Sequence, residues 1–485
     1  MKFTSSTDFR LQSFEIIPHE GEPMGEAKKL IATIEYSESI TSPFVMAKAT
    51  LVDSAGLLNG LPIKGGEKVV FTVLVNGMEG EKEITYEMVI WTLQNRWTEQ
   101  KKQVYTLGLI SPEAITNEIA QVTVGTTGNP YSIIGNCIKT DLKSSKTLYG
   151  ENSLFEVKML PGLSRPFDFF GKMCTKSVSP QAKYQSGKTD NTNETKEEIK
   201  GSGGFFFWET RDGFNFFAVD SLLADEKSDF KSKELNRKAW GSDPDSEDNK
   251  PYTERAANVG DGGDDRFTVK RAIFSSEVNL METLRRGKLA TKVAFFNHST
   301  GGYSEYQYRL KDSYDNMAHL GGQAILSKIP IGADSKELAD FPSRTMSVYI
   351  DHETWYNEPG VASPEPDDGA TDPTPYADWQ KYFTVQSLSR YQLLQNQSCT
   401  VVIPGNAEIL AGHLINIRLI NKLPDAAAAE DASKQYDPES SGEYLISEVT
   451  HSYDPTMGNN GMFYTTLRLM RDSYGMKGQV SAHGT

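Results

Sequence analysis

The chain has little cysteine, little histidine and no long apolar run. Its three cysteines, Cys137, Cys174 and Cys399, are scattered through 485 residues without zinc spacing. That excludes a disulfide framework or a thiolate metal site and leaves buried thiols as the expected state. Of the seven histidines (His19, His298, His319, His352, His413, His451 and His483), no two lie four residues apart. A helical histidine pair for a metal is therefore absent. No window approaches the roughly 18 consecutive apolar residues of a membrane-spanning helix, so no membrane anchor is expected. The opening MKFTSSTDFRLQSFEII has no apolar signal core, and an unexported chain is expected.

Motifs for chemistry are missing too. Gly187-Lys188-Thr189 ends like a phosphate loop, but Ala182 stands where that loop needs glycine. There is no Gly-x-Ser-x-Gly elbow. Asp243, Asp245 and Glu247 alternate like calcium ligands without the glycine that turns such a loop. With 65 acids in the chain, some carboxylates will be close by chance, so a pair says nothing about glycoside cleavage. The expectation is a non-enzyme with no catalytic, cofactor-binding or metal residue and no cofactor.

Positive charge is also in deficit, with 50 Lys and Arg against 65 Asp and Glu, net −15. A sequence-independent nucleic-acid binder would carry a basic face instead. The acidity is local. Asp243–Asp265 holds eight acids and two bases, Asp351–Asp378 eight acids and no Lys or Arg, and Asp425–Glu443 six acids and one base. Together these segments carry −19, which leaves +4 on everything else. Asp351–Asp378 also contains Pro359, Pro364, Pro366, Pro373 and Pro375, which remove backbone donors. Tyr184–Gly203 is a fourth polar insertion with almost nothing apolar to bury. All four read as surface loops.

What remains is mostly β. A length of 485 residues and a mean hydropathy of −0.47 suit three or four domains separated by polar segments. Residues 8–112 read as antiparallel strands at Leu30–Glu35, Pro43–Val52, Lys68–Val75, Ile84–Leu93 and Val104–Ile110, with Asn76-Gly77 as a hairpin turn. An α+β insertion follows, with helices at Pro112–Ala120, Tyr131–Leu142 and Pro166–Lys176. Gly204–Leu222 returns to strands around Asp212-Gly213. Its rings, Phe205–Trp208 and Phe214–Phe217, have the spacing of an aromatic core, with a sugar platform as the alternative. Further on, Arg266–Phe274, Leu289–Phe296 and Tyr303–Leu310 read as strands, with a helix at Val278–Arg286. The last β region comprises Tyr382–Leu388, Cys399–Ile403, Ala411–Ile420, Gly442–His451 and Phe463–Met470.

The two ends repeat. Gly66 precedes the alternating strand from Lys68, and Thr106-Leu107-Gly108-Leu109-Ile110 comes later. Gly412 precedes Leu414-Ile415-Asn416-Ile417, and Thr466-Leu467-Arg468-Leu469-Met470 comes later. Gly66 to Leu107 is 41 residues and Gly412 to Leu467 is 55, and the excess fits within Asp425–Glu443. Two related β-barrels in one chain are the hypothesis; any two β-meanders sharing a pattern is the alternative.

Several stretches follow one another in a set order: Ser42-Pro43-Phe44-Val45, Val52-Asp53-Ser54-Ala55-Gly56-Leu57-Leu58, Leu61-Pro62-Ile63-Lys64-Gly65-Gly66-Glu67 and Gly204–Phe214. Ile403-Pro404-Gly405-Asn406 with Ala411-Gly412, Tyr444–His451 and Tyr464–Asp472 continue it. Taken together they resemble the baseplate hub proteins of contractile-tailed bacteriophages, the T4-like central hub subunits, distantly similar to the N-terminal part of VgrG spike proteins. The resemblance implies a fold that is mainly β with an α+β insertion: two related antiparallel tube-type barrels plus inserted peripheral domains. The implied division is a first barrel at 1–112, an insertion at 113–225 and an acidic linker at 226–265. A second barrel at 266–312 and 381–475 is interrupted by an insertion at 313–380, and 476–485 is a polar tail. It further implies a homotrimer whose six barrels form a pseudo-sixfold ring in the virion baseplate, assembled in the host cytoplasm. That ring adapts a hexameric tail tube, or tube-initiator proteins, to a trimeric central spike, with wedge proteins as further neighbours. DNA would pass through its channel without specific binding, past a neutral or acidic lining. Tyr184–Gly203, Asp243–Asp265 and Asp351–Asp378 have no counterpart in that pattern. Two alternatives stay open: the hub of a phage-like secretion or tailocin device, and a tail-associated peptidoglycan hydrolase or glycan-binding protein.

Overall fold

The computed structural model describes residues 3–476 apart from 4, 6, 21–24, 61–62, 79, 100–101, 189–195, 225–234, 236–237, 244, 247–248, 255–264, 276–278, 297–300, 302, 323–329, 332–335, 350–354, 358–376, 423–434 and 459. Most of the Asp351–Asp378 loop, much of Asp425–Glu443 and nearly all of the polar tail lie outside the described residues.

Alternating apolar and polar residues build the first barrel, because successive side chains of a strand point to opposite faces. Its strands are β1 (Phe9–Ile17), β2 (Ile31–Ser39), β3 (Met46–Asp53), β4 (Lys68–Gly77), β5 (Gly80–Glu99) and β6 (Lys102–Ile110). They pair in the order β1-β4-β5-β6-β3-β2, antiparallel throughout. Phe14, Ile34, Ala49, Phe71 and Leu107 fill the interior and are fully buried. The β4–β5 hairpin turns later than the sequence suggested. Gly77 pairs with Gly80, so Asn76-Gly77 forms the last rungs and not the turn.

The insertion begins with α1 (Pro112–Ile119), α2 (Pro130–Thr140) and α3 (Pro166–Lys176), each with proline in its first turn. A missing donor is harmless there. Val178–Lys188 and Lys196–Gly203 form an antiparallel hairpin where a loop was expected; backbone pairing does not require apolar side chains. The aromatic hairpin consists of β7 (Phe205–Thr210) and β8 (Gly213–Ala218) and turns at Arg211-Asp212. Phe205, Phe207, Phe214 and Phe216 are buried in the insertion core, while Trp208 and Phe217 are buried on the other side of the hairpin. These rings therefore pack as core and leave no exposed aromatic platform at the hairpin.

The second barrel starts with β9 (Tyr252–Glu254), β10 (Thr268–Val269) and β11 (Arg271–Phe274). A second insertion brings β12 (Ala290–Phe296), β13 (Tyr303–Arg309), β14 (Arg344–Tyr349) and α4 (Ala377–Leu394). The barrel resumes with β15 (Gln397–Pro404), β16 (Leu414–Arg418), β17 (Gly442–Asp454) and β18 (Met462–Arg471). The order β9-β16-β17-β18-β15-β11 repeats the first barrel position for position. One direction differs, since β9 runs parallel to β16 whereas β1 is antiparallel to β4. The β9–β10 pair and the bond from Lys270 N to Val402 O (2.9 Å) close this barrel on itself.

The repeat holds to individual hydrogen bonds. Gly66 N donates to Ile90 O (2.7 Å) and Ile90 N to Glu67 O (2.9 Å). Correspondingly, Gly412 N donates to Ile446 O (2.9 Å) and Ile446 N to His413 O (2.9 Å). Both glycines are left-handed, with φ of 92° and 89°. The extra length is divided, however. Lys68 and its partner Val89 are 21 residues apart and their counterparts Leu414 and Leu445 are 31 apart. Val89 and Ile110 are 21 apart and Leu445 and Met470 are 25 apart. Ten extra residues thus precede β17 and four follow it.

Three boundaries differ from the sequence reading. Tyr382–Leu388 belongs to helix α4 and not to a strand. Its apolar residues Phe383 and Val385 alternate, but the helix is buried on several sides with Gln386 and Arg390 inside, which hides the helical period. β12 pairs with β13 on one side and β14 on the other in a separate sheet that packs into the first insertion's core, so 290–309 lies outside the second barrel. Conversely, Ala239–Trp240 and β9, within the expected acidic linker, pair with β16.

Gly412 is the tighter of the two equivalent glycines. A Cβ there would lie 2.6 Å from the Trp208 ring, whereas at Gly66 it would meet the His19 side chain at 3.1 Å. Gly412→Ala should destabilise by roughly 2–4 kcal/mol and Gly66→Ala by about 1–2 kcal/mol. Denaturant midpoints of the two variants check this order.

Candidate functional site

The two barrels are one sheet. The outer edge of β2 pairs antiparallel with β17, from Ile34 opposite Tyr453 to Ser39 opposite Glu448. One face of this sheet lies inside the barrels. The other runs across both barrels and is rich in hydroxyls, because the outward positions of β2, β3, β6, β17 and β18 carry Ser37, Thr50, Thr106, Thr450 and Thr466. Ser37 Oγ and Thr450 Oγ1 are 3.0 Å apart across the joint, and Thr50 Oγ1 and Thr106 Oγ1 are 3.4 Å apart. Charges at the outward positions of these strands and of β11 are mixed: Glu35, Glu448 and Asp454 with Lys48, Lys102, Arg271 and Arg468. Glu448 and Arg468 are 3.9 Å apart.

Buried ions hold the sheet to the insertions. Glu38 of β2 accepts bonds from Tyr36 Oη (2.9 Å), Arg211 N (2.8 Å) and Ala411 N (3.2 Å). It thereby ties the first barrel, the aromatic hairpin and the second barrel together. Burial pushes its carboxyl up to about 7, against the pull of Arg211. Arg211 also donates to Ala407 O (2.9 Å). Two residues earlier, Glu209 accepts from Val45 N (3.1 Å) and Lys146 Nζ (2.5 Å), and Lys146 reaches Glu113 as well (2.7 Å). A second clasp fixes α4, where buried Arg390 pairs with Asp220 (2.9 Å) beside Asp472. Burial alone would raise Asp472, but the bond and charge of His319 and the charge of Arg390 hold it at about 2.

No motif from the sequence marks these residues. Glu38, Glu209 and Arg211 sit among ordinary strand and turn residues, and only tertiary pairing reveals them. His319 faces Asp472 at Nδ1 (2.6 Å) and Tyr314 O at Nε2 (2.8 Å), so both ring nitrogens are occupied. His19 Nε2 lies 3.3 Å from Gly65 O, and His413 Nδ1 lies 3.3 Å from Trp240 Nε1. His298, His352 and His483 lie outside the described residues. Among the described residues no group of three potential ligands is placed to hold a metal ion, and no helix is long and apolar enough to cross a membrane. All three cysteines are buried and none is in a disulfide. Two polar clefts, of about 420 and 470 Å³, lie beside the second barrel. The acids lining them include Glu282, paired with Arg286 (2.5 Å), and Glu408, near Lys82 (3.9 Å) and Lys238 (3.6 Å).

No family model matches the chain, and no curated protein matches it by sequence. Among solved structures, the chain is similar to a tail protein from Neisseria meningitidis MC58. The TM-score is 0.47 at 9% identity, covering 96% of this chain and 97% of that one. It is similar to the 43 kDa tail protein of prophage MuSo2 from Shewanella oneidensis, with TM-score 0.44 and 9% identity over 95% and 98% of the two chains. A third similar structure is the half-lidded Francisella PdpA-VgrG complex, with TM-score 0.40 and 10% identity over 99% of this chain and 60% of that one.

His451 is buried at the joint, opposite Tyr36, and burial pushes it down to about 3. Below its ordinary value of about 6.5, the unfolded chain binds a proton that the folded one refuses until about pH 3. Stability therefore falls with pH across that window, by about 1.4 kcal/mol per unit from this group. The stability advantage of the wild type over His451→Asn should shrink at that rate between roughly pH 6 and 4. Urea unfolding at successive pH values measures it.

Proposed function

We propose that the protein is the central hub of a contractile phage tail, a structural and non-enzymatic subunit of the virion baseplate. Three copies would form a ring between the hexameric tail tube and the trimeric spike. The observation that carries this reading is the repeated strand order of the two barrels, joined edge to edge in one sheet. A threefold object can meet a sixfold one only if each subunit offers two like surfaces, and two like barrels provide them. The ordered sequence resemblance supplies the partners: tube on one side, spike on the other, DNA through the middle.

The hydroxyl-rich face is the proposed channel wall. Phosphate binding is driven by release of the counterions condensed on DNA when basic side chains take their place. A face carrying Ser, Thr and mixed charge offers a duplex little to hold. This wall is close to neutral, while most of the chain's net negative charge resides in the three acidic segments.

Mass in solution tests the ring. A particle of about 160 kDa, three times the 53.9 kDa chain, is the expected result, with six similar lobes in electron micrographs. A stable monomer that clears cell-wall suspensions would count against the hub and for a hydrolase. The wall has its own test: Ser37→Lys, Thr50→Lys and Thr450→Lys combined should make the ring retain duplex DNA, with a steep loss on adding salt. Unchanged retention in a fluorescence anisotropy titration would remove this face from the channel.

A further inference from the structure

One buried cation has no partner within the described chain. Lys288 is 6% exposed, and lysine is almost never so buried unless an acid pairs with it. Among the described residues no hydrogen bond or ion pair engages its Nζ. Its backbone is fixed from two sides. Lys288 N donates to Thr283 O (3.1 Å) in the turn that ends the short helix Leu280–Arg285, and Ser389 Oγ of α4 donates to Lys288 O (3.1 Å). Gly287 makes that turn with a left-handed φ of 68°. Packing therefore holds the side chain inside, where an unpaired ammonium costs stability. Burial lowers its pKa, and the neighbouring Arg286 lowers it further against the pull of Glu282.

Lys288 lines the cleft of about 420 Å³ where the short helix and the residues after α4 meet β17 and β18. The other charges of this cleft have partners. Glu282 pairs with Arg286 (2.5 Å) and accepts from Asn279 Nδ2 (3.1 Å), and Arg286 also donates to Gln392 (3.2 Å) and Gln395 (2.6 Å). Glu448 faces Arg468 at 3.9 Å. Two acids (Glu282, Glu448) against three bases (Arg286, Lys288, Arg468) leave the described lining at +1, and the surplus is Lys288. Asn396 adds a second unmet need, since it is 6% exposed and its Nδ2 has no partner. Leu280, Leu289 and Met470 give the same lining an apolar part.

We propose that this cleft binds a small organic oxyanion, a carboxylate or phosphate carried on an apolar body, with Lys288 meeting its charge and Asn396 as a further donor. A bound oxyanion supplies the counter-charge that the chain withholds from Lys288 and accepts hydrogen bonds from it. The single surplus charge matches a singly charged head. The volume lies in the range of ligand clefts and leaves room beyond the head for a body packed against Leu280, Leu289 and Met470. A group kept at a cost to stability, in a cleft and with a displaced pKa, marks a functional position. The site goes beyond the ring reading and does not depend on it.

Titration calorimetry on the full chain tests the site. The ligands are phenyl phosphate and benzoate, with inorganic phosphate and acetate as the same heads without a body. At fixed ionic strength one of the aromatic ligands should bind once per chain, roughly tenfold more tightly than its bare head. Which of the two binds distinguishes a phosphate from a carboxylate site. Lys288→Met keeps the stem and removes the charge. It should weaken binding by roughly tenfold or more. Its thermal midpoint without ligand should stay equal or rise, because an uncompensated buried charge is gone. Arg468→Gln, at a side chain 64% exposed, should weaken binding severalfold without disturbing the core. Affinity unchanged in both variants, or no saturable binding by any of the four anions, overturns the site. A lower midpoint for Lys288→Met without ligand overturns it as well, since the lysine would then be structural. Equal affinity for bare and aromatic anions overturns the apolar part of the assignment.

Discussion

Backbone groups at the edge of a sheet need partners, and the rest of this structure depends on how that requirement is met between β2 and β17. Each barrel on its own would end in open strands. Pairing Ile34–Ser39 with Glu448–Tyr453 satisfies one such pair of edges and makes two repeats into a single sheet. It also sets one continuous outward face, since the side-chain period of two is preserved across the joint. The hydroxyl contact between Ser37 and Thr450 is a direct consequence.

The insertions stiffen this arrangement from behind. Carboxylates buried without partners would be strongly unfavourable, so Glu38 and Glu209 can lie beneath the sheet only because the hairpin turn brings Arg211 to Glu38 and the connection after α2 brings Lys146 to Glu209. Removing one member of such a pair leaves a buried charge uncompensated, which costs more than the pair contributes. The phenylalanines on one side of the hairpin fill the insertion core, and Trp208 and Phe217 on the other side face the second barrel. A segment that looked like a candidate glycan platform is thus the fastening between domains.

The doubled barrel gives the chain two nearly equivalent halves. The differences are as informative as the likeness. Ten additional residues before β17 and the parallel β9 belong to the second barrel alone, and the long insertion falls between the counterparts of β2 and β3. Each insertion leaves the four central antiparallel strands of a barrel intact, because changes at connections disturb no ladder bonds.

Much of this was legible in the amino-acid order. Period-two patterning located the barrel strands other than β9 and β1, whose period slips at the irregularity between Leu11 and Ser13; proline marked the three early helices, and Gly66 and Gly412 signalled the repeat, because a left-handed turn with close packing admits little else. Pattern failed where burial is not one-sided. Helix α4 hides its period by burying Gln386 and Arg390 against Gly203 and Asp220. Strands of two or three residues such as β9 are too short to show alternation. The assignment of β12 and β13 to a sheet of their own, the clasp at Glu38, and the pairing of β2 with β17 across more than four hundred residues of chain were decided by tertiary structure alone. Local sequence specifies which face of a strand is apolar; which partner completes its edge is settled only when distant segments compete for the same backbone donors and acceptors.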